Sequence, residues 1–429
     1  MEPDPPLSAS RRAVLGASAS LLAASPAAAK VLPDEAEAQR ILERYQSFGD
    51  KASGGPGDTA SGDWLEGELK AMGYACQRQT YDMPAYEGEA VLTCGAARAD
   101  LIPQAIVVPT SGEGVSGPLY VASGKGGPGI ALVVLPHARW STAVGVIAQR
   151  VAAAFGAGAT AVVIVTTGPT GEALALNAPP DKSLFKGPVA VMAPKDAGPF
   201  LLAAAKGETA TLRMSGRSFR RPAFNVTATL KTGAAKTLVI STPRSGWFAC
   251  AGERGSGMAA WLLLVRWAAQ ARLPVDIALI STSGHEYENA GGEHFIQELA
   301  PKPDKTALWV HLGANVAARD WHERGAALSP LPSADPQRFM LASPAILSSA
   351  RAAFAGLPGL EQPYAADPAL AAGELGNILR AGYTPAIGIF GGHRFHHARN
   401  DDLRCVSAAL IPPVARAFVR VISEAVANG

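Results

Sequence analysis

The sequence is short of charge, of cysteine and of the usual catalytic signatures, and each shortage excludes something. Charged residues make up 17% of its 429 positions, below the roughly 25% of an ordinary soluble domain. The formal net charge is +2, so the basic footprint of a nucleic-acid or acidic-lipid binder is missing. Beyond the first thirty residues no run of about 20 apolar residues occurs, and no membrane span is expected. The four cysteines show no Cys-x-x-Cys spacing. No Gly-x-Ser-x-Gly elbow of a serine hydrolase is present. The run His285-Glu286-Tyr287-Glu288-Asn289 lacks the second histidine of a zincin helix. No Gly-x-Gly-x-x-Gly follows a strand as a dinucleotide site requires. The stretch Gly124-Lys125-Gly126-Gly127-Pro128-Gly129 lacks both the Gly-Lys-Ser/Thr ending and a following helix. It reads as a turn before a strand rather than a phosphate loop.

What is present begins with length: 429 residues suffice for two or three domains and a large core. Ser10-Arg11-Arg12 precedes an alanine-rich run that ends at Ala27-Ala28-Ala29. This is the pattern of a twin-arginine export signal over residues 1–29, and it implies the periplasm or the exterior. Disulfides persist in those compartments. Cys76 with Cys94, and Cys250 with Cys405, are candidate pairs; free buried thiols are the alternative.

Residues 34–48 and 59–73 read as helices, the second capped by Gly57-Asp58-Thr59. Apolar runs at 130–135, 161–165 and 189–193, around an alanine-rich helix, read as a small α/β unit over 101–222. From 223 the chain alternates strand and helix: strands at 237–241, 275–281, 307–312 and 385–390, helices at 257–272, 292–299 and 406–427. Such alternation predicts an α/β fold with a mostly parallel sheet covered by helices on both faces. Loops at the carboxyl ends of its strands are where a site forms. Ser283-Gly284-His285-Glu286 and His396-His397-Ala398-Arg399-Asn400-Asp401 are two such loops. A glutamate and a histidine brought together there make a metal-ligand or acid/base constellation.

With these motifs the chain resembles the co-catalytic di-zinc aminopeptidases and glutamate carboxypeptidases (peptidase family M twenty-eight). The resemblance implies a zinc-exopeptidase-like sheet with 30–100 and 223–429 as the main domain and 101–222 as a protease-associated-type insert. That family's bridging aspartate falls at Glu253, ahead of Arg254-Gly255-Ser256-Gly257. Its Glu-Glu falls at His285-Glu286, and its late His-x-x-x-Asp at His397–Asp401. The early metal-binding histidine is replaced by Pro243 and its orienting aspartate by Ser245. The strand aspartate is lost at Leu312-Gly313-Ala314. One ion's ligands are thus spared in chemical type, as Glu253, Glu286 and His397, with His396 an alternative to His397; the other ion's are erased. His311 is a substitute ligand or a core histidine, and His393 is expected to be solvated. Arg244 and Arg254 are candidates to supply the missing positive charge, or to pair with Glu253 and Glu286.

The resemblance implies an exported hydrolase of peptide or small amide bonds, with one zinc or none, His285 as the base and Arg254 as a catalytic cation. Two alternatives stand beside it. One is an inactive binding protein whose cleft is lined by Trp247, Phe248 and Tyr287. The other is a metal-free acid/base enzyme using His285 with Glu253 and Arg254.

Overall fold

The computed structural model describes residues 34–123, 126–135, 144–166, 170–325 and 327–427. The expected export signal lies outside them, as do two residues of the glycine-rich stretch 124–129.

Two helices open the described chain: α1 (Glu35–Ser47), whose cap Asp34 accepts from Glu37 N, and α2 (Pro56–Ala71). Helix α2 starts three residues earlier than expected. Pro56 suits its first position, where a missing N–H costs nothing, and the Asp58 carboxylate accepts from Gly54 N instead of capping. The chain continues through β1 (Ala75–Cys94), β2 (Ala97–Pro103), β3 (Val115–Val121), β4 (Ile130–Val134), α3 (Val144–Gly156), β5 (Ala161–Val165), β6 (Val189–Met192), α4 (Ala197–Lys206) and β7 (Thr209–Leu230). The second half holds β8 (Thr237–Pro243), α5 (Ser256–Gln270), β9 (Asp276–Thr282), α6 (Ala290–Glu298), β10 (Thr306–Leu312), β11 (Arg319–Arg324) and β12 (Ala327–Ala334). It closes with β13 (Phe339–Ala342), α7 (Leu347–Ala353), β14 (Tyr364–Ala365), α8 (Gly373–Arg380), β15 (Ala386–Phe390) and α9 (Ile411–Ala427).

Strands β9, β8, β10 and β15 lie parallel side by side, flanked by antiparallel β7 and β13. This is the expected mixed, mostly parallel sheet. Alternate residues of β8 point to opposite faces. Leu238 and Ile240 pack with α1, α2, α5 and α9, while Val239 packs with Phe295 of α6 and Ile378 of α8. Covered on both sides, these strands read as continuous apolar runs. Helix α9 begins at Ile411 rather than near 406, because Pro412 and Pro413 are tolerated only in a first turn.

Strands β1 and β7, of 20 and 22 residues, have no counterpart in the sequence reading. They pair antiparallel from Ala75–Thr229 to Thr93–Thr211. Glu87–Glu89 and Ser215–Ser218 are exposed, with Glu87 opposite Arg217, so the alternating burial on either side is interrupted and no single long pattern marks the strands. This ribbon links the main sheet to the parallel strands β3, β4, β5 and β6, making one 13-stranded sheet. The expected insert limits, 101 and 222, fall inside β2 and β7.

All four cysteines are free thiols. Neither candidate pair forms: Cys250 Sγ faces Tyr45 Oη at 3.3 Å, and Cys405 Sγ faces the Asn400 carbonyl at 3.5 Å. No described helix is long and apolar enough to cross a membrane.

Candidate functional site

The carboxyl ends of β8, β9, β10 and β15 open into a cleft of about 400 Å³. After β8 the chain makes a wide turn, Ala251–Gly255, that buries Glu253 and Arg254 completely. The buried Asp401 carboxylate holds this turn against the late histidine loop. Its Oδ1 accepts from Gly252 N at 2.8 Å and its Oδ2 from Glu253 N at 3.0 Å, and the same Oδ2 stands 3.3 Å from His393 Nε2. Gly252 is required here, since a Cβ would lie 2.7 Å from both Asp401 Oδ1 and His393 Cε1. Asp401 thus pins the two loops together, while Cys250 and Cys405 stay free thiols.

The loop then presents two histidines to Glu253. In extended chain, neighbouring side chains point apart. Here His397 adopts φ 61°, and the two rings stack with centroids 4.0 Å apart. Glu253 Oε1 lies 3.7 Å from His396 Nδ1 and 3.5 Å from His397 Nε2, and the three ligand atoms fall within 4.8 Å of one another. Tetrahedral zinc with bonds of about 2.0–2.2 Å separates its ligand atoms by roughly 3.3–3.6 Å. Glu253 Oε2 and His396 Nδ1 are buried without a hydrogen-bond partner among the described residues, a cost that a bound cation would remove. On spacing, donor type and unmet demand, these residues fit one divalent ion. Burial pushes Glu253 up, but Arg254 and then the two imidazoles outweigh it and hold the carboxyl well below its usual range. Burial drives His396 well below the ordinary histidine value.

Glu286, expected in the ligand set, is held elsewhere. Its Oε1 accepts from Ser53 N and Ser53 Oγ at 2.6 Å each, and its Oε2 from Ser245 Oγ at 2.8 Å. Ser245 stands where the resembled family has an aspartate, and as a donor it draws the carboxylate into its own pocket. The group that the structure assembles among the described residues is Glu253, His396 and His397. Arg244 is likewise no cleft cation. It is sealed in the core against Asp58 Oδ1 at 3.0 Å and the carbonyls of Ser281 and Phe224. Arg254 does line the cleft; its Nη2 donates to Glu253 Oε1 at 2.5 Å.

His285 also lines the cleft, with Nδ1 3.7 Å from Glu374 Oε1. Glu374 sits in the first turn of α8 and accepts from Thr282 Oγ1 at 2.6 Å. No spacing in the sequence singles it out; only the packing of α8 over the strand ends brings it in. Burial and then Arg254 lower the His285 pKa, with Glu374 opposing them. His311 Nδ1 lies 2.9 Å from Ser241 Oγ, and burial lowers its pKa to about 4. Both imidazoles are therefore neutral near pH 7.

His393 is fully buried, contrary to the solvated position expected. Burial alone would lower its pKa, but the Asp401 carboxylate outweighs this and raises it. The expected aromatic lining is absent from the described cleft walls. Trp247 and Tyr287 pack edge-on in the core, ring centroids 5.9 Å apart, and Phe248 lies under Arg399. The cleft's outer wall is instead a strap between β5 and β6, residues 173–184. Ala175 N donates to His397 O, Ala178 N to Glu286 O, and Asn177 Oδ1 accepts from Trp247 Nε1.

No protein-family model matches the sequence, and no curated protein matches it. Among solved structures, the chain is similar to a zinc aminopeptidase from Bacillus subtilis, with a TM-score of 0.71 and 15% identity over 92% of this chain and 96% of that one. It is also similar to an aminopeptidase from Aneurinibacillus sp. strain AM-1, at 0.65 and 17%, over 91% and 94%. A third is a peptidase precursor of family M twenty-eight from Shewanella amazonensis, at 0.66 and 16%, over 91% and 96%. What these chains share at such identities is the zinc-exopeptidase-like fold.

Proposed function

We propose that this chain, folded like the aminopeptidases above, is an exported hydrolase of peptide or small amide bonds, with one zinc ion held by Glu253, His396 and His397. The observation that carries the reading is the convergence of their ligand atoms within 4.8 Å beside the cleft. The solved aminopeptidase structures support the class by their shared architecture. When bound, such an ion supplies Lewis-acid polarisation of the scissile carbonyl and acidifies water.

The chain's own residues do the rest. His285 is neutral and accepts a proton in the cleft; Glu374, beside its Nδ1, orients the ring and stabilises its protonated form. A separation of 3.7 Å is too long for a hydrogen bond, and it is expected to tighten when substrate fills the cleft. Arg254 places a permanent cation beside Glu253, a substitute for the charge of the resembled family's second metal. The strap excludes water from one side.

A second reading, metal-free acid/base hydrolysis by His285, is favoured by the buried Arg254–Glu253 ion pair, which already neutralises the carboxylate. Elemental analysis of purified protein, with peptide- and amide-hydrolysis assays before and after chelation, separates the two. One zinc per chain and activity lost to a chelator support the first. Chelator-resistant hydrolysis without zinc supports the second, and no hydrolysis at all refutes both.

A further inference from the structure

We infer that the cleft recognises a carboxylate on its ligand through Arg254, so that its substrates are N-acylated amino acids or peptides presenting a free carboxyl end. The Arg254 side chain is completely buried, and Nη2 anchors it to Glu253 Oε1. Its Nε and Nη1 have no hydrogen-bond partner among the described residues. A buried guanidinium with unused N–H groups is costly until acceptors arrive. The acceptors it suits best are carboxylate oxygens.

The neighbours narrow the choice. Arg254 is the only Arg or Lys among the described residues lining the cleft. Burial lowers the pKa of His285 and brings that of His311, which shares that lining, to about 4, so neither competes as a cation. Of the buried carboxylates, Glu253 pairs with Arg254 through Oε1 and does not line the cleft, and Glu374 accepts from Thr282 through Oε1. Glu288 at the rim is exposed, where solvent and salt screen it. Leu184, Phe390, Pro179 and Ala314 give the cleft an apolar wall suited to an aliphatic side chain. A substrate with a carboxylate and an aliphatic side chain satisfies both features.

The amide to be cleaved rests on the hydrolase reading above; the carboxylate recognition does not. The test is titration calorimetry on chelator-treated full-length protein with three probes: N-acetyl-L-leucine, N-acetyl-L-leucinamide and L-leucinamide. A charge-assisted hydrogen bond in a buried site predicts that N-acetyl-L-leucine binds at least about tenfold tighter than either neutral-ended probe. Arg254→Gln should erase that preference and Arg254→Lys should restore part of it. Equal affinity for the acid and its amide, preference for L-leucinamide, no binding by any probe, or a preference that survives Arg254→Gln overturns the inference. If Arg254→Gln does not fold, as a thermal melt would show, the probe comparison on the wild-type protein decides alone. Binding of the acid, with no hydrolysis of any peptide or amide by the untreated protein, would sink the hydrolase reading and leave this inference standing.

Discussion

Replacing Asp401 tests whether the metal-binding loop and the Glu253 turn are held together by one carboxylate. In the native chain Asp401 accepts from two buried backbone N–H groups, Gly252 and Glu253, and faces His393. Asp401→Ala strands both donors, each costing about 1–3 kcal/mol when left buried and unpaired. The sum is about 2–6 kcal/mol. Asp401→Asn keeps one acceptor oxygen, so its cost is about half of that. With about 2 °C lost per kcal/mol in a large domain, Asp401→Ala should melt on the order of 4–12 °C early. Loosening the turn also frees Glu253 from His396 and His397. Loss of a partner that orients metal ligands typically weakens binding by about 10–100-fold, readable by competition with a chromogenic chelator. The pH profile adds a signature. The His393 pKa is raised above its ordinary value of about 6.5 by Asp401. Its ion pair therefore stabilises fully below about pH 6.5 and fades as pH rises through the folded value. In Asp401→Asn this slope should vanish. A variant that melts within 1 °C of wild type, with an unchanged slope between pH 6 and 8, would refute the argument.

Other predictions separate the remaining roles. Glu286→Ala removes a carboxylate that accepts three hydrogen bonds from Ser53 and Ser245; it should lower stability yet leave zinc content unchanged, whereas His396→Ala and His397→Ala should each lose the metal by elemental analysis. Glu374→Gln removes the charge that favours protonated His285, so the acid limb of the pH–rate profile should move to lower pH, with kcat falling by about 10–100-fold; an unmoved limb would remove Glu374 from the proton path. Unfolded protein that has seen no reductant should take up four alkyl groups by mass spectrometry, one per thiol; two or fewer would restore a disulfide.

The linear chain determined the layered fold, because strands buried on both faces must be apolar throughout and the helices between them must carry apolar stripes. Leu238–Ile240, Ile277–Ile280 and Leu308–Leu312 show this without any structure. It also marked two loops that gather at the strand ends, those of His285 and His397, whereas Glu253 and Arg254 were named only through the family resemblance. It could not show direction. Whether His396 or His397 faces Glu253 depends on a left-handed backbone at His397, which turns both inward, and that angle leaves no pattern in residue order. Whether Glu286 faces a metal or a serine pocket depends on Ser53, far away along the chain. The ribbon β1–β7 was silent because its exposed stretches, Glu87–Glu89 and Ser215–Ser218, break the alternation of its buried positions. Glu374 was silent because one glutamate in a helix's first turn is ordinary until packing buries it beside His285. Hydrophobic periodicity is a local property and is written in the order of residues. The meeting of polar side chains is set by loop dihedrals and distant partners, and only the folded chain decides it.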